Sequence, residues 1–316
     1  MMKKINDIIG DAKTIGIAGH VRPDGDCMGS CMSLYNYLKK NRPDLDVRVF
    51  LEFVDKKFNI IENTDQIITT GYDGTKFDLF ISLDTASLDR LGLNLPFYEN
   101  AKRTACIDHH ASNDGYADYN YILPKASSAS EVLYDLLDEG LIDKSIAEPM
   151  YMGIAHDSGV FRFQSTTPKT MRIAANMIEK GVNVNMILEE TFFRKTYNQM
   201  MVTAKIQSEA VLALDGKCIY GYCTSEMMEE YGVTTKDLDA VVASIRNVDG
   251  VEVAMFLYQL SEDSYKVSLR SKNYVDVSKI AVENGGGGHV RAAGSEIHGE
   301  LNDIINKLLN RIKQDI

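Results

Sequence analysis

The chain has 316 residues, 45% of them hydrophobic and 25% charged, which describes an ordinary globular protein too long for one core and suited to two domains. A formal net charge of -11 excludes a protein that tracks long nucleic acid on a broad basic face, so an anionic substrate has to be met locally, by metal ions and a few arginines. No apolar run approaches the roughly 20 residues of a membrane helix. The N-terminal MMKKINDIIGDAKT has no apolar signal region, and the five cysteines, odd in number and without a C-x-x-C, suit a reduced, cytoplasmic protein.

In chain order, the first half alternates apolar strands with helical stretches. Strands are predicted at 13–18, 47–51, 77–83, 105–107 and 119–123. Helices are predicted at 26–40, with Met28, Cys31, Tyr35 and Leu38 on one face, and at 129–139. Continuous apolar strands between helices predict an α/β domain, a parallel sheet covered on both faces, over residues 1–188. From 145 to about 206 the pattern is helical, with Pro168 opening one helix and Gly181 closing it. The stretch 198–214 has no Gly or Pro and reads as one continuous helix, part of a helical connector over 189–214; a further core helix of the first domain is the alternative. A smaller α/β domain follows over 215–316. It has a strand at 217–222, a helix at 236–245, a hairpin from 251–260 and 265–270, a short helix at 276–284, four glycines at 285–288 and an amphipathic helix at 301–313.

Four places carry chemistry. Gly19-His20-Val21-Arg22-Pro23-Asp24-Gly25-Asp26 lies between a strand and a helix, where open parallel sheets build their sites. His20, Asp24 and Asp26 are donors suited to manganese, magnesium, zinc or iron; as a plain cap, Asp26 would start the helix. Asp84 directly follows FDLFISL and could equally cap what comes next. Asp108-His109-His110 ends the 105–107 strand, and His156-Asp157-Ser158-Gly159 ends a helix. Each has a bland reading alone. Together, three strand ends and a helix end supply six donors, more than one zinc ion uses, and suit two ions with a shared carboxylate. No G-x-S-x-G elbow or catalytic cysteine signature is present.

H-x-R-P-D-G-D-x-x-G-S, a lone Asp after a strand, D-H-H, D-S-G and then G-G-G-G-H with R-A-A-G, in this order, resemble the DHH phosphoesterase family with a DHH-associated C-terminal domain, in its nanoRNase/pAp phosphatase branch. The resemblance implies two divalent ions, usually manganese, with magnesium or cobalt as substitutes. His20 and Asp24 would hold one, Asp26, His109 and Asp157 the other, and Asp84 would bridge them. Asp108 would orient an imidazole, and His110 would face the scissile phosphate. The second domain would bind the rest of the substrate through Arg270, Ser268, Gly287, Gly288, His289 and Arg291, since arginine grips phosphate bidentately and glycine N–H groups cradle anions. His156 departs from the small or hydroxyl residue common there in the family, and packing is its default role.

The activity implied is metal-dependent hydrolysis, by an activated water in line, of short single-stranded RNA or DNA or of linear dinucleotides to mononucleotides, or dephosphorylation of 3'-phosphoadenosine 5'-phosphate (pAp). Long duplexes and membranes are not expected partners; a homodimer is compatible. The alternatives are a manganese-dependent inorganic pyrophosphatase and a non-catalytic nucleotide-sensing module, which would be expected to lack a ligand.

Overall fold

The structure is a computed structural model, and residues 4–238 and 241–316 are described. It divides into two compact units between Arg194 and Lys195.

In the first unit a short helix α1 (Ile5–Ile9) precedes β1 (Thr14–Ala18), α2 (Gly25–Asn41) and β2 (Asp46–Phe50). Then come β3 (Leu79–Leu83), α3 (Leu95–Glu99), β4 (Thr104–Asp108) and β5 (Tyr119–Ile122). Four helices close the unit: α4 (Ala129–Leu136), α5 (Lys144–Asp157), α6 (Pro168–Glu179) and α7 (Val184–Leu188). The five strands form a wholly parallel sheet in the order β2-β1-β3-β4-β5. β1 and β3 are neighbours although β2 lies between them in sequence, so the carboxyl ends of β1, β3 and β4 open side by side.

Both faces of this sheet are covered, as expected, but by different means. α2 and α4 cover one face and α5 packs against both, so that Met28, Leu34, Val132 and Met150 join the strand residues in one core. A phenylalanine layer covers the other: Phe50, Phe77, Phe80 and Phe97 pack together, with Phe80 and Phe97 stacked at 6.3 Å. The segments between β2 and β3 and between β3 and β4 run as 3-10 turns and the single short α3. Aromatic rings bury enough area that little helix is needed there.

α2 and α5 cross at very close range. A Cβ on Gly29 would lie 2.4 Å from the Pro149 carbonyl oxygen and 2.8 Å from Gly153 Cα. That approach requires glycine at position 29, and a Cβ on Gly153 would in turn meet Ser130 Oγ at 2.1 Å and Asp26 Oδ1 at 2.7 Å; the two glycines let the start of α2 meet α5.

The second unit contains α8 (Tyr197–Glu209), β6 (Val211–Ala213), β7 (Cys218–Cys223), α9 (Ser225–Tyr231), α10 (Val241–Ile245), β8 (Val253–Ser261) and β9 (Ser264–Ser271). It ends with α11 (Val277–Val282), β10 (Gly287–His289), β11 (Ala292–His298) and α12 (Leu301–Ile312). Its six-stranded mixed sheet runs β10-β11-β9-β8-β7-β6, with only β7 and β8 parallel. The predicted helix over 236–245 is a 3-10 turn, Thr235–Asp237, and then α10; Asp239 and Ala240 lie outside the described residues.

The single helix expected over 198–214 is shorter and is followed by a strand. Glu189–Phe193 form a π turn closing the first unit, and α8 stops at Glu209. Val211, Leu212 and Ala213 then pair with Tyr220, Ile219 and Cys218 as an edge strand. α8 buries Val202 and Ile206 against Ile219, Val241 and Phe256, so it is a core helix of the second unit. Edge pairing and this core decide the conformation where local propensity alone favoured helix.

Candidate metal centre

His20 follows β1 and is turned by its own backbone. Its Nδ1 donates to the Val21 carbonyl at 2.8 Å, leaving Nε2 to face Asp84 Oδ2 at 3.5 Å and Asp24 Oδ1 at 3.8 Å. Asp24 is the N-cap of α2, its Oδ1 accepting from the N–H groups of Asp26 and Cys27. The capping role anticipated for Asp26 therefore falls to Asp24. Asp26, fully buried, caps a different helix: its two oxygens accept from the N–H of Ala129 at 2.6 Å and of Ser130 at 3.0 Å, at the start of α4.

Asp84 comes one residue past β3, at φ 53°, a left-handed conformation that an aspartate tolerates better than most residues. It sits between two imidazoles, with His20 3.5 Å from Oδ2 and His109 3.5 Å from Oδ1. His109 Nε2 is also 3.1 Å from Asp157 Oδ2 at the end of α5. Beyond Asp157 the backbone is strained, since Gly159, Val160 and Phe161 all have positive φ, rare for a β-branched or aromatic residue. Asp108 is fully buried and accepts from His110 Nδ1 at 2.8 Å and from Asn113 Nδ2 at 2.7 Å.

These side chains gather into overlapping clusters. His20, Asp24 and Asp84 bring ligand atoms within 4.8 Å of one another, as do Asp26, His109 and Asp157, and Asp84, His109 and His110. Their chemistry fits divalent cations on two counts. Asp84 Oδ1 is buried without a hydrogen-bond partner, a costly state that a cation relieves. The charges are also out of balance. Burial first, then the negative charges of Asp84 and Asp157, push Asp26 well above the usual carboxylate range. Burial likewise raises Asp157. Burial works against the imidazolium of His109, yet Asp157 and Asp84 outweigh it and raise its pKa to about 12. Protons are attracted where positive charge is wanting, and oxygen and imidazole donors suit Mn²⁺, Mg²⁺ or Zn²⁺.

All six sequence-predicted ligands are thus brought together, and Asp108 and His110 lie beside them. Sequence reading missed Asn113, which holds Asp108, and Arg90, whose Nη2 lies 3.3 Å from His20 Nδ1. Neither follows a strand directly or sits in a motif, so no pattern marks it. His156 is in none of these clusters; its ring packs between Phe58 and Phe192, ring centroids 6.0 and 5.3 Å away. Burial, and then Lys57, lowers its pKa to about 4, so the ring is neutral.

In the second unit, Ser268 and Arg270 share the half-buried face of β9, opposite Gly294 and Ala292 of β11. Gly287, Gly288 and His289 form the exposed edge strand β10. Arg291 Nη1 donates to the Val275 carbonyl at 2.7 Å, so part of its guanidinium holds the loop before α11.

A parallel α/β unit that gathers carboxylates and imidazoles at three strand ends and a helix end, followed by a mixed-sheet unit, defines a two-domain protein built around a clustered metal-ligand set. Residues 14–154 match the DHH family, N-terminal domain, and residues 215–315 match the DHHA1 domain. The chain belongs to the DHH phosphoesterase family with a C-terminal DHHA1 domain. It is 31% identical over 313 residues to a bifunctional oligoribonuclease and PAP phosphatase NrnA of Thermus thermophilus, covering 96% of this chain and 90% of that protein. It is 28% identical over 290 residues to the protein of the same name from Bacillus subtilis, covering 90% of each. A crystal structure of an exopolyphosphatase-related protein from Bacteroides fragilis has the same fold, with a TM-score of 0.89 at 23% identity, over 98% of this chain and 95% of that one.

Proposed function

We propose that the chain is a divalent-metal-dependent phosphoesterase that hydrolyses short oligonucleotides, linear dinucleotides included, to mononucleotides, and dephosphorylates pAp. The observation that carries this reading is Asp84, buried between His20 and His109 with one oxygen directed to each and Oδ1 lacking a hydrogen bond. The names of the relatives support the substrate class.

In this reading His20 and Asp24 would hold one divalent ion, Asp26, His109 and Asp157 a second, and Asp84 would be the ligand available to both. Bound there, the ions, manganese by preference, would supply Lewis acidity and an activated water for in-line attack on phosphorus. The chain's own groups set the geometry. The Val21 carbonyl fixes the His20 tautomer so that Nε2 carries the lone pair. Backbone N–H groups of α4 hold Asp26 rigid. Asp108, steadied by Asn113, orients His110, whose Nε2 then serves the leaving oxygen.

Arg270, Ser268, the glycines at 287 and 288, His289 and Arg291 bind the substrate's phosphates, and Arg270 is the principal grip. Arg270→Ala is expected to raise KM for a dinucleotide about 10- to 100-fold, the loss of one or two charge-assisted hydrogen bonds. Manganese binding measured by calorimetry should stay as in the unaltered protein. An unchanged KM would remove Arg270 from the substrate site.

A further inference from the structure

We infer that His156 is a positioning residue for the metal centre, held in place by Thr191. The inference rests on the metal-binding reading proposed above and concerns how this chain keeps four carboxylates together before any cation neutralises them.

Asp24 and Asp26 flank Gly25, and Asp157 follows His156 in sequence. The Gly25 backbone lies directly on the His156 ring, where a Cβ would fall 2.1 Å from Cγ and 2.3 Å from Nδ1. One imidazole therefore packs against the first turn of α2, which carries Asp24 and Asp26, while its own backbone carries Asp157. The ring is fixed from its far side. Thr191, buried, donates its hydroxyl proton to the Ile187 carbonyl at 2.6 Å. Its oxygen thus accepts from His156, whose Nε2 is 2.9 Å away. This chain of donors sets a single tautomer and ring orientation, and Phe58 and Phe192 confine the ring at its sides.

Carboxylates gathered this closely repel one another, so a shift of the α2 start away from the end of α5 would spread them apart and weaken the site. His156 blocks that motion for Asp24 and Asp26 relative to Asp157. Thr191 belongs to the π turn that closes the first unit, so the His156 ring, and the α2 start packed on it, is tied to that turn by one hydrogen bond. Residues that orient ligands from behind typically contribute 10- to 100-fold in metal affinity.

The test is a calorimetric titration of the purified full-length chain with MnCl₂, compared for Thr191→Val, Thr191→Ser and His156→Phe. Thr191→Val keeps the shape and removes the hydroxyl; His156→Phe keeps a ring and removes the donor. Both are expected to weaken Mn²⁺ binding about tenfold or more, while Thr191→Ser retains nearly full affinity. The thermal midpoint of the metal-free Thr191 variants should stay close to that of the unaltered chain. Unaltered affinity in Thr191→Val, or an equal loss in Thr191→Val and Thr191→Ser, overturns the inference. If the unaltered chain takes up no Mn²⁺, the metal-centre reading itself is what fails.

Discussion

Asp84→Asn is expected to reduce manganese-dependent dinucleotide hydrolysis by about 10³-fold or more, the largest effect of any single replacement in the centre. A bound ion contributes several kcal/mol of charge stabilisation in the transition state, and each 1.36 kcal/mol is tenfold in rate. A ligand shared by two ions weakens both when it loses its charge. Asparagine is the informative choice because position 84 is left-handed, at φ 53°, where alanine would add backbone strain to the chemical change. Asparagine keeps size and conformation and removes only the charge that faces His20 and His109. Initial rates over a manganese series, beside a far-ultraviolet spectrum to verify folding, give the answer. Full activity at ordinary manganese concentrations would refute the bridging assignment.

His110→Ala should produce the second-largest loss, about 10²- to 10⁴-fold in kcat, the range of a positioned acid–base group. The effect should fall on turnover and leave manganese affinity nearly intact, because His110 is anchored to Asp108, which Asn113 holds in turn, while His20, Asp24, Asp26, His109 and Asp157 gather without it. His110 also lies within ligand distance of Asp84 and His109. Calorimetry separates the two roles: loss of Mn²⁺ binding in His110→Ala would make this residue a ligand, and retained binding with lost turnover places it at the leaving oxygen.

The strand ends were legible because the signal is local. FDLFISL followed by Asp84, and RTACI followed by Asp108, pair an apolar run with an acid at a fixed place, and a parallel sheet aligns such ends. What escaped sequence reading depends on contacts distant in the chain. Asp26 caps a helix that begins at Ala129, more than a hundred residues on. Gly29 stands in the first motif, but that it packs on Pro149 and Gly153 of α5 is visible only in the fold. The phenylalanine face of the sheet carries no helical period, so composition hinted at burial without saying what would cover it. The helix expected over 198–214 overran because Val211, Leu212 and Ala213 carry no breaker; pairing with β7 makes them a strand. His156 lay beside a motif, but its role depends on Gly25 and Thr191, which sequence does not place next to it.

A metal centre that acts on the phosphates of very short nucleic acids is tested most directly by side-by-side hydrolysis rates of the purified chain with Mn²⁺ over pAp, RNA and DNA from two to about ten nucleotides, and inorganic pyrophosphate. Dinucleotides are expected to go to mononucleotides and pAp to lose phosphate, with rates falling as the oligonucleotide lengthens and every activity abolished by a chelator. Rapid cleavage of pyrophosphate with no turnover of dinucleotides or pAp would contradict this reading.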